Sequence, residues 1–214
     1  MKFRCFLPAA MVAVTLLPGC ILFNHIGTES PQPPDARIDF SDPVLNQRRI
    51  VITGQITALT ASSVVRQLFY LDAQNHLPIE LYLMTPGGDL NAAFAIEHTM
   101  ESIQSPVNTI ALGECTSGGA MLLAAGTGKR SAYADAVIIL HGFVVHGKMP
   151  GDAVRQYQES YTDFWERRAR LPKGWVPIPQ GRFYTLTPSQ ALEYGVIDQL
   201  IPSTGVKPGP NAAK

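Results

Sequence analysis

Leu112-Gly113-Glu114-Cys115-Thr116-Ser117-Gly118-Gly119-Ala120 sets a serine where a buried strand should give way to a helix. The apolar run Val107–Leu112 ahead of it reads as a strand, and Ala120-Met121-Leu122-Leu123-Ala124-Ala125 behind it reads as a short apolar helix that stops at Gly126. Ser117 then stands at or beside a helix N-terminus, where backbone N–H groups lack partners inside the helix. Two roles suit a serine there. It can cap the helix or close a tight turn, or its hydroxyl can act as a nucleophile. The pattern is not the G-x-S-x-G elbow of hydrolases, because Cys115 takes the first glycine position. Cys115 reads as a small buried side chain at a strand end rather than as the nucleophile.

Two further turns belong with this one. Upstream, Ile79-Glu80-Leu81-Tyr82-Leu83-Met84 alternates like a strand and runs into Thr85-Pro86-Gly87-Gly88-Asp89. Leu90, Ala93, Phe94, Ile96, Glu97, Met100 and Ile103 then come at helical spacing. A Gly-Gly pair between strand and helix lets the backbone approach a ligand and aim an N–H at it, as an oxyanion hole requires. Downstream, the buried strand Val137-Ile138-Ile139-Leu140 delivers His141 at its end, where an imidazole can serve as a general base.

At these residues the chain resembles the Clp protease proteolytic subunit family, serine peptidases of the crotonase-like fold. The resemblance runs from about Arg49 to Ile201, more weakly over 147–182. It is carried by Arg49-Ile50-Val51-Ile52-Thr53-Gly54, Leu83-Met84-Thr85-Pro86-Gly87-Gly88, Thr116-Ser117-Gly118-Gly119-Ala120 with Leu122-Leu123-Ala124-Ala125-Gly126, Gly128-Lys129-Arg130, Ile139-Leu140-His141 and Ala191-Leu192-Glu193-Tyr194-Gly195-Val196-Ile197-Asp198. Their order makes the set far more specific than any one piece. The resemblance implies an α/β, crotonase/ClpP-like fold of repeated ββα-type units with mostly parallel sheets. It also implies Ser117 as nucleophile, His141 as its base and the N–H groups of Gly88 and Gly118 as the oxyanion hole. Peptide or unfolded-protein substrates, self-association and no cofactor are implied by the same likeness.

The chain departs from the family at the triad acid. Counting back from Ala191-Leu192-Glu193-Tyr194-Gly195, the family's aspartate position falls at or near Phe183, and Gln180–Gln190 contains no Asp or Glu. In the serine protease template, replacing that aspartate lowers turnover by about 10⁴. Three explanations stay open: another acid such as Asp163 or Asp152 orients His141, a Ser/His pair works unaided at lower rate, or the chain is a noncatalytic relative. Tyr184 and Thr185 lie near the position but read as a buried aromatic and a strand threonine.

The first twenty residues read as a targeting segment. Lys2 and Arg4 precede an apolar stretch Phe6–Leu17, and Leu17-Pro18-Gly19-Cys20 has the form of a bacterial lipobox with Cys20 as the lipidated residue. Pro8 and Pro18 within a barely long enough apolar stretch argue against a permanent transmembrane helix. Ile21 rather than Asp follows Cys20, which points to the outer membrane of a Gram-negative host, with the protein facing the periplasm. Residues 21–47, with Gly27-Thr28-Glu29-Ser30-Pro31-Gln32-Pro33-Pro34-Asp35, read as a proline-rich tether. The folded domain is then expected over 48–204, with 205–214 a flexible tail. Cleavage would remove Cys5 and lipidation would use Cys20, leaving Cys115 without a disulfide partner.

Composition bounds the rest. With 214 residues, 46% of them hydrophobic and 16% charged, the chain can bury one substantial core. Formal net charge is zero and there is no basic run, so nucleic acid is not an expected partner. An exported protein would also be separated from cytoplasmic ATPases. His98 has no second histidine at zinc-ligand spacing, so no metal is expected; His25 and His76 fall in tether and loop, and His146 is a less constrained alternative to His141. Gly128-Lys129-Arg130 reads as a polar turn rather than a Ser/Lys dyad partner. Strands are expected at 49–54, 79–84, 107–112, 131–133, 137–141 and near 197–201, and helices at 61–74, 90–104, 117–125, 152–170 and 188–194. That alternation is the signature of an α/β domain.

Overall fold

Parallel strands joined through helices account for the first half of the molecule: β1 (Arg49–Thr53), α2 (Ala58–Gln74), β2 (Ile79–Thr85), α3 (Leu90–Ser102), β3 (Val107–Thr116), α4 (Gly118–Ala124) and β4 (Arg130–Tyr133). The computed structural model describes residues 39–142, 144–145 and 148–202, and these fall within one compact unit. The segment 1–20 with Cys20, the tether as far as residue 38, His25, His146 and the tail 205–214 lie outside the described residues.

The sheet runs β1-β2-β3-β4-β7, with β7 at Gln199–Ile201. Ile50 and Ile52 pair with Leu81 and Leu83, which pair in turn with Thr109 and Ala111. All six side chains are buried, and each large aliphatic one contributes about 1.5–3 kcal/mol by leaving water. The intervening positions Val51, Met84 and Leu112 remain substantially exposed. The architecture is mixed α/β with a mostly parallel sheet, as the alternating pattern predicts.

β3 is longer than its apolar run suggests, and it forks. Thr109–Ala111 pair with β4, whereas Glu114–Thr116 pair with β5 (Val137–His141). Between Leu83↔Ala111 and Thr85↔Cys115 the register shifts, because β3 spends extra residues at Leu112-Gly113-Glu114. The expected strand end at Leu112 is therefore an irregularity within a continuing strand, the kind that bends one strand and re-aims the residues beyond it. Ser117 lies just past that bend.

Two elements lie outside the expected layout. β6 (Phe183–Leu186) pairs antiparallel with β5, placing Phe183 opposite His141 and Leu186 opposite Ile138. Short helix α1 (Pro43–Asn46) is capped by Asp42, whose carboxylate accepts from Val44 N–H at 2.8 Å, with Pro43 in the first turn. It buries Leu45 in the core, and Phe40 packs on Tyr70 with ring centroids 4.3 Å apart. The folded part thus begins before residue 48, inside the stretch read as tether.

The remaining helices behave as their sequences indicate. Thr187 and Gln190 form a reciprocal capping box at α6 (Pro188–Glu193). α5 (Gly151–Arg168) buries Tyr161, Phe164 and Trp165, so its aromatic stripe faces the core.

Candidate active site

The sheet brings three turns together at the carboxyl ends of its strands, where open α/β sheets bind ligands. Ser117 comes directly after β3 and its N–H donates to the Ile139 carbonyl at 2.9 Å, tying it to the strand that ends in His141. Its backbone sits at φ 59°, ψ −121°. Arg48 is the other non-glycine residue with positive φ among the described residues, and its guanidinium is spent on the carbonyls of Leu71, Asn75, Leu77 and Pro78. Ser117 has no such structural return. It occupies the cap position of α4, yet its side chain makes no capping hydrogen bond. Backbone strain of this kind clusters at active sites, ligand clamps and switch regions, which makes Ser117 a candidate functional residue.

The turn after β2 is built against Ser117. Thr85 is buried, and its hydroxyl donates to the Gly54 carbonyl at 2.6 Å while accepting from Gly87 N–H at 3.0 Å. Ile56 N–H donates to Gly87 O and Asp89 N–H to Ile56 O, both at 2.8 Å. Gly88 between them donates to nothing among the described residues, and neither does Gly118 N–H. These two amides are neighbours: a Cβ placed on Gly118 would lie 3.8 Å from Gly88 N. Side chains are excluded on steric grounds at two points. A Cβ on Gly87 would fall 2.6 Å from Thr116 O and 2.7 Å from Ser117 Cβ, and one on Gly88 would fall 2.1 Å from Ile56 O.

His141 ends β5 half-buried, with Nδ1 2.7 Å from the Gly142 carbonyl. The buried Tyr161 hydroxyl donates to the His141 carbonyl at 2.8 Å, and burial pushes that phenol up to about 12. Phe183 stands across the strand pair, its ring centroid 5.1 Å from that of His141.

Ser117, Gly118, Gly88 and His141 line one cavity of about 380 Å³, within the size range of small-ligand sites. Leu90, Val144, Val145 and Met149 give it an apolar wall. Tyr157, bonded to Asn91 Oδ1 at 2.8 Å, joins α5 to α3 at the same cavity. Asp89 also lines it, but its carboxylate caps α3 by accepting from Ala92 N–H at 2.8 Å.

The other tempting residues are elsewhere. Cys115 is fully buried with its thiol toward Leu83 O at 3.6 Å, and burial, with the Glu114 charge adding to it, pushes that thiol up to about 12. It is not an available thiolate. Asp163 and His98 line a separate groove between α3 and α5, and Asp152 accepts from Ala153 N–H at 3.0 Å. Lys129 lines another cavity, with Tyr82 and Tyr133. His76 pairs with Asp72 at 3.1 Å. No cluster of three or more His, Cys, Asp or Glu able to hold a metal occurs among the described residues.

Thr85 is the residue that sequence reasoning passed over. A threonine at a strand end is ordinary, and only the buried hydroxyl between Gly54 O and Gly87 N–H reveals its task. Thr85→Val keeps the shape and deletes that link. We expect it to cost about 1–3 kcal/mol of stability, because the buried Gly87 N–H loses its acceptor. Thermal unfolding followed by circular dichroism measures this.

Comparison with known proteins shows the family. The family model described as Clp protease matches residues 34–204. An ATP-dependent Clp protease proteolytic subunit from Deinococcus radiodurans is 34% identical over 177 residues, covering 78% of this chain and 86% of that protein. Proteins of the same description from Borrelia garinii subsp. bavariensis and Borreliella afzelii are each 31% identical over 172 residues; the alignments cover 76% of this chain, and 89% and 87% of those proteins.

Proposed function

The chain belongs to the Clp protease family, and from that membership we propose that it hydrolyses peptide bonds through an acyl-enzyme formed on Ser117. The observation that carries the reading is the single cavity shared by an uncommitted serine hydroxyl, an imidazole and two unspent glycine amides. His141 Nε2 takes the Ser117 proton as Oγ attacks the scissile carbonyl. The N–H groups of Gly88 and Gly118 receive the developing oxyanion, each donor being worth about 3–4 kcal/mol in such sites. His141 then returns the proton to the leaving amine, and water repeats the sequence on the acyl-serine. The wall of Leu90, Val144, Val145 and Met149 supports a preference for an apolar side chain beside the scissile bond.

Location and assembly complete the proposal. Lipidation of Cys20, supported by Leu17-Pro18-Gly19-Cys20, would hold the domain in the bacterial envelope facing the periplasm, without a cytoplasmic ATPase feeding it. The partly exposed Val51, Met84 and Leu112 on the sheet support association with further copies. Metabolic labelling with a palmitate analogue tests the anchor, since Cys20→Ala should lose both label and membrane association.

A second reading has an observation in its favour. No carboxylate bonds the His141 ring among the described residues, and Phe183 stands beside it, as suits a noncatalytic scaffold or binding lipoprotein that has lost the acid. Incubation with a panel of fluorogenic peptides varying the residue before the cut separates the two. Cleavage favouring apolar residues supports the peptidase; no cleavage of any member by folded protein supports the scaffold.

A further inference from the structure

We infer that the Gly142 main-chain carbonyl is the positioning group for His141, holding the imidazole as the Nδ1–H tautomer where the serine hydrolase template uses a carboxylate. The inference deepens the peptidase reading and rests on it for its kinetic meaning. A carbonyl oxygen can only accept, so the 2.7 Å contact with Nδ1 requires the proton on Nδ1. The neutral ring then carries its lone pair on Nε2, the nitrogen a general base needs free.

This bond lies within adjacent residues, and its value depends on Gly142 being held. It is held from outside. A Cβ on Gly142 would sit 2.5 Å from both the Ile178 and Pro179 carbonyl oxygens, so the 178–179 backbone presses directly against the glycine. Ile178 is itself buried. On the other side, Tyr161 fixes the His141 carbonyl at 2.8 Å from a buried position. Phe183, opposite His141 in the β5–β6 ladder, packs at 5.1 Å against the ring. Main chain on one flank and an aromatic on the other leave the imidazole oriented without an acid.

A carbonyl does only half of what a carboxylate does. It selects tautomer and orientation, but brings a partial charge where an ionised acid would bring a full one against the imidazolium formed at the transition state. Phe183 occupies the cross-strand position from which an acid could reach the ring, since directly opposed residues in an antiparallel pair are close neighbours.

The test is ring-¹⁵N NMR of the full chain labelled in histidine, with His141 assigned by the signals lost in His141→Gln. We expect the neutral ring to be Nδ1–H, and to remain so in Ser117→Ala. The tautomer is therefore readable even in a protein whose peptidase reading has failed. A ring that is predominantly Nε2–H overturns the inference. If wild-type protein turns over, Phe183→Asp should raise kcat about tenfold or more, with KM within about twofold. An unchanged or lower kcat in a variant of native circular dichroism overturns the claim that the carbonyl stands in for an acid.

Discussion

Replacing Ser117 with alanine is expected to lower peptide turnover by about 10³-fold or more while leaving the melting temperature almost unchanged. The two halves of that expectation have separate causes. Turnover falls because the hydroxyl is the atom to be acylated, and the surviving rate is only that supported by binding and the two amide donors. Stability holds because the hydroxyl caps nothing, and alanine at φ 59° bears the same backbone strain as serine. Ser117→Gly sharpens the point: it should be equally inactive but more stable by about 1 kcal/mol, since glycine alone adopts this conformation without cost. Steady-state kinetics and calorimetry on the three proteins check both halves. A serine that merely capped a helix would give the opposite pattern, intact turnover with a loss of about 1 kcal/mol on removal.

The second large effect is expected at Gly88. Gly88→Ala forces a methyl to within 2.1 Å of Ile56 O, at a φ of 155° that side chains avoid. The turn must move, and it carries the N–H proposed to face the oxyanion. We expect kcat to fall about 10²–10³-fold, the cost of one lost donor, with a stability loss of about 1–3 kcal/mol from overpacking. Gly118→Ala is the control. Its Cβ meets Ala93 Cβ at 3.4 Å and Ile56 Cδ1 at 3.5 Å, contacts that a small adjustment accommodates, and its N–H stays in place at the start of α4. Its kcat should fall less than about tenfold. Equal losses in the two variants, measured as kcat with KM and Tm recorded beside it, would mean that crowding and not the Gly88 amide limits the reaction.

Strands β1 to β5 were legible because parallel strands buried on the core side leave runs such as Val107–Leu112 and Val137–Leu140, and Gly-Gly pairs follow β2 and β3. The features that stayed hidden depended on partners distant in sequence. β3 continues through Gly113 and Glu114 because β5 arrives to pair with it, information that no local window holds. β6 is four residues with only Leu186 buried, so its hydrophobic alternation is too short to register, although it sets Phe183 on His141. α1 was hidden because Asp42-Pro43 prolongs a proline-rich stretch, and only the burial of Leu45 reveals folded structure ahead of residue 48. Ser117 and His141 could be proposed from the sequence, but the strain of the one and the carbonyl partner of the other are properties of the folded backbone alone.

Reaction of the full chain with a fluorophosphonate, followed by peptide mass spectrometry, decides whether Ser117 is an activated nucleophile. A single adduct is expected on Ser117, absent in Ser117→Ala and slowed in His141→Ala. Folded protein that takes up no label, or takes it up elsewhere with Ser117 unmodified, would rule out a nucleophilic Ser117.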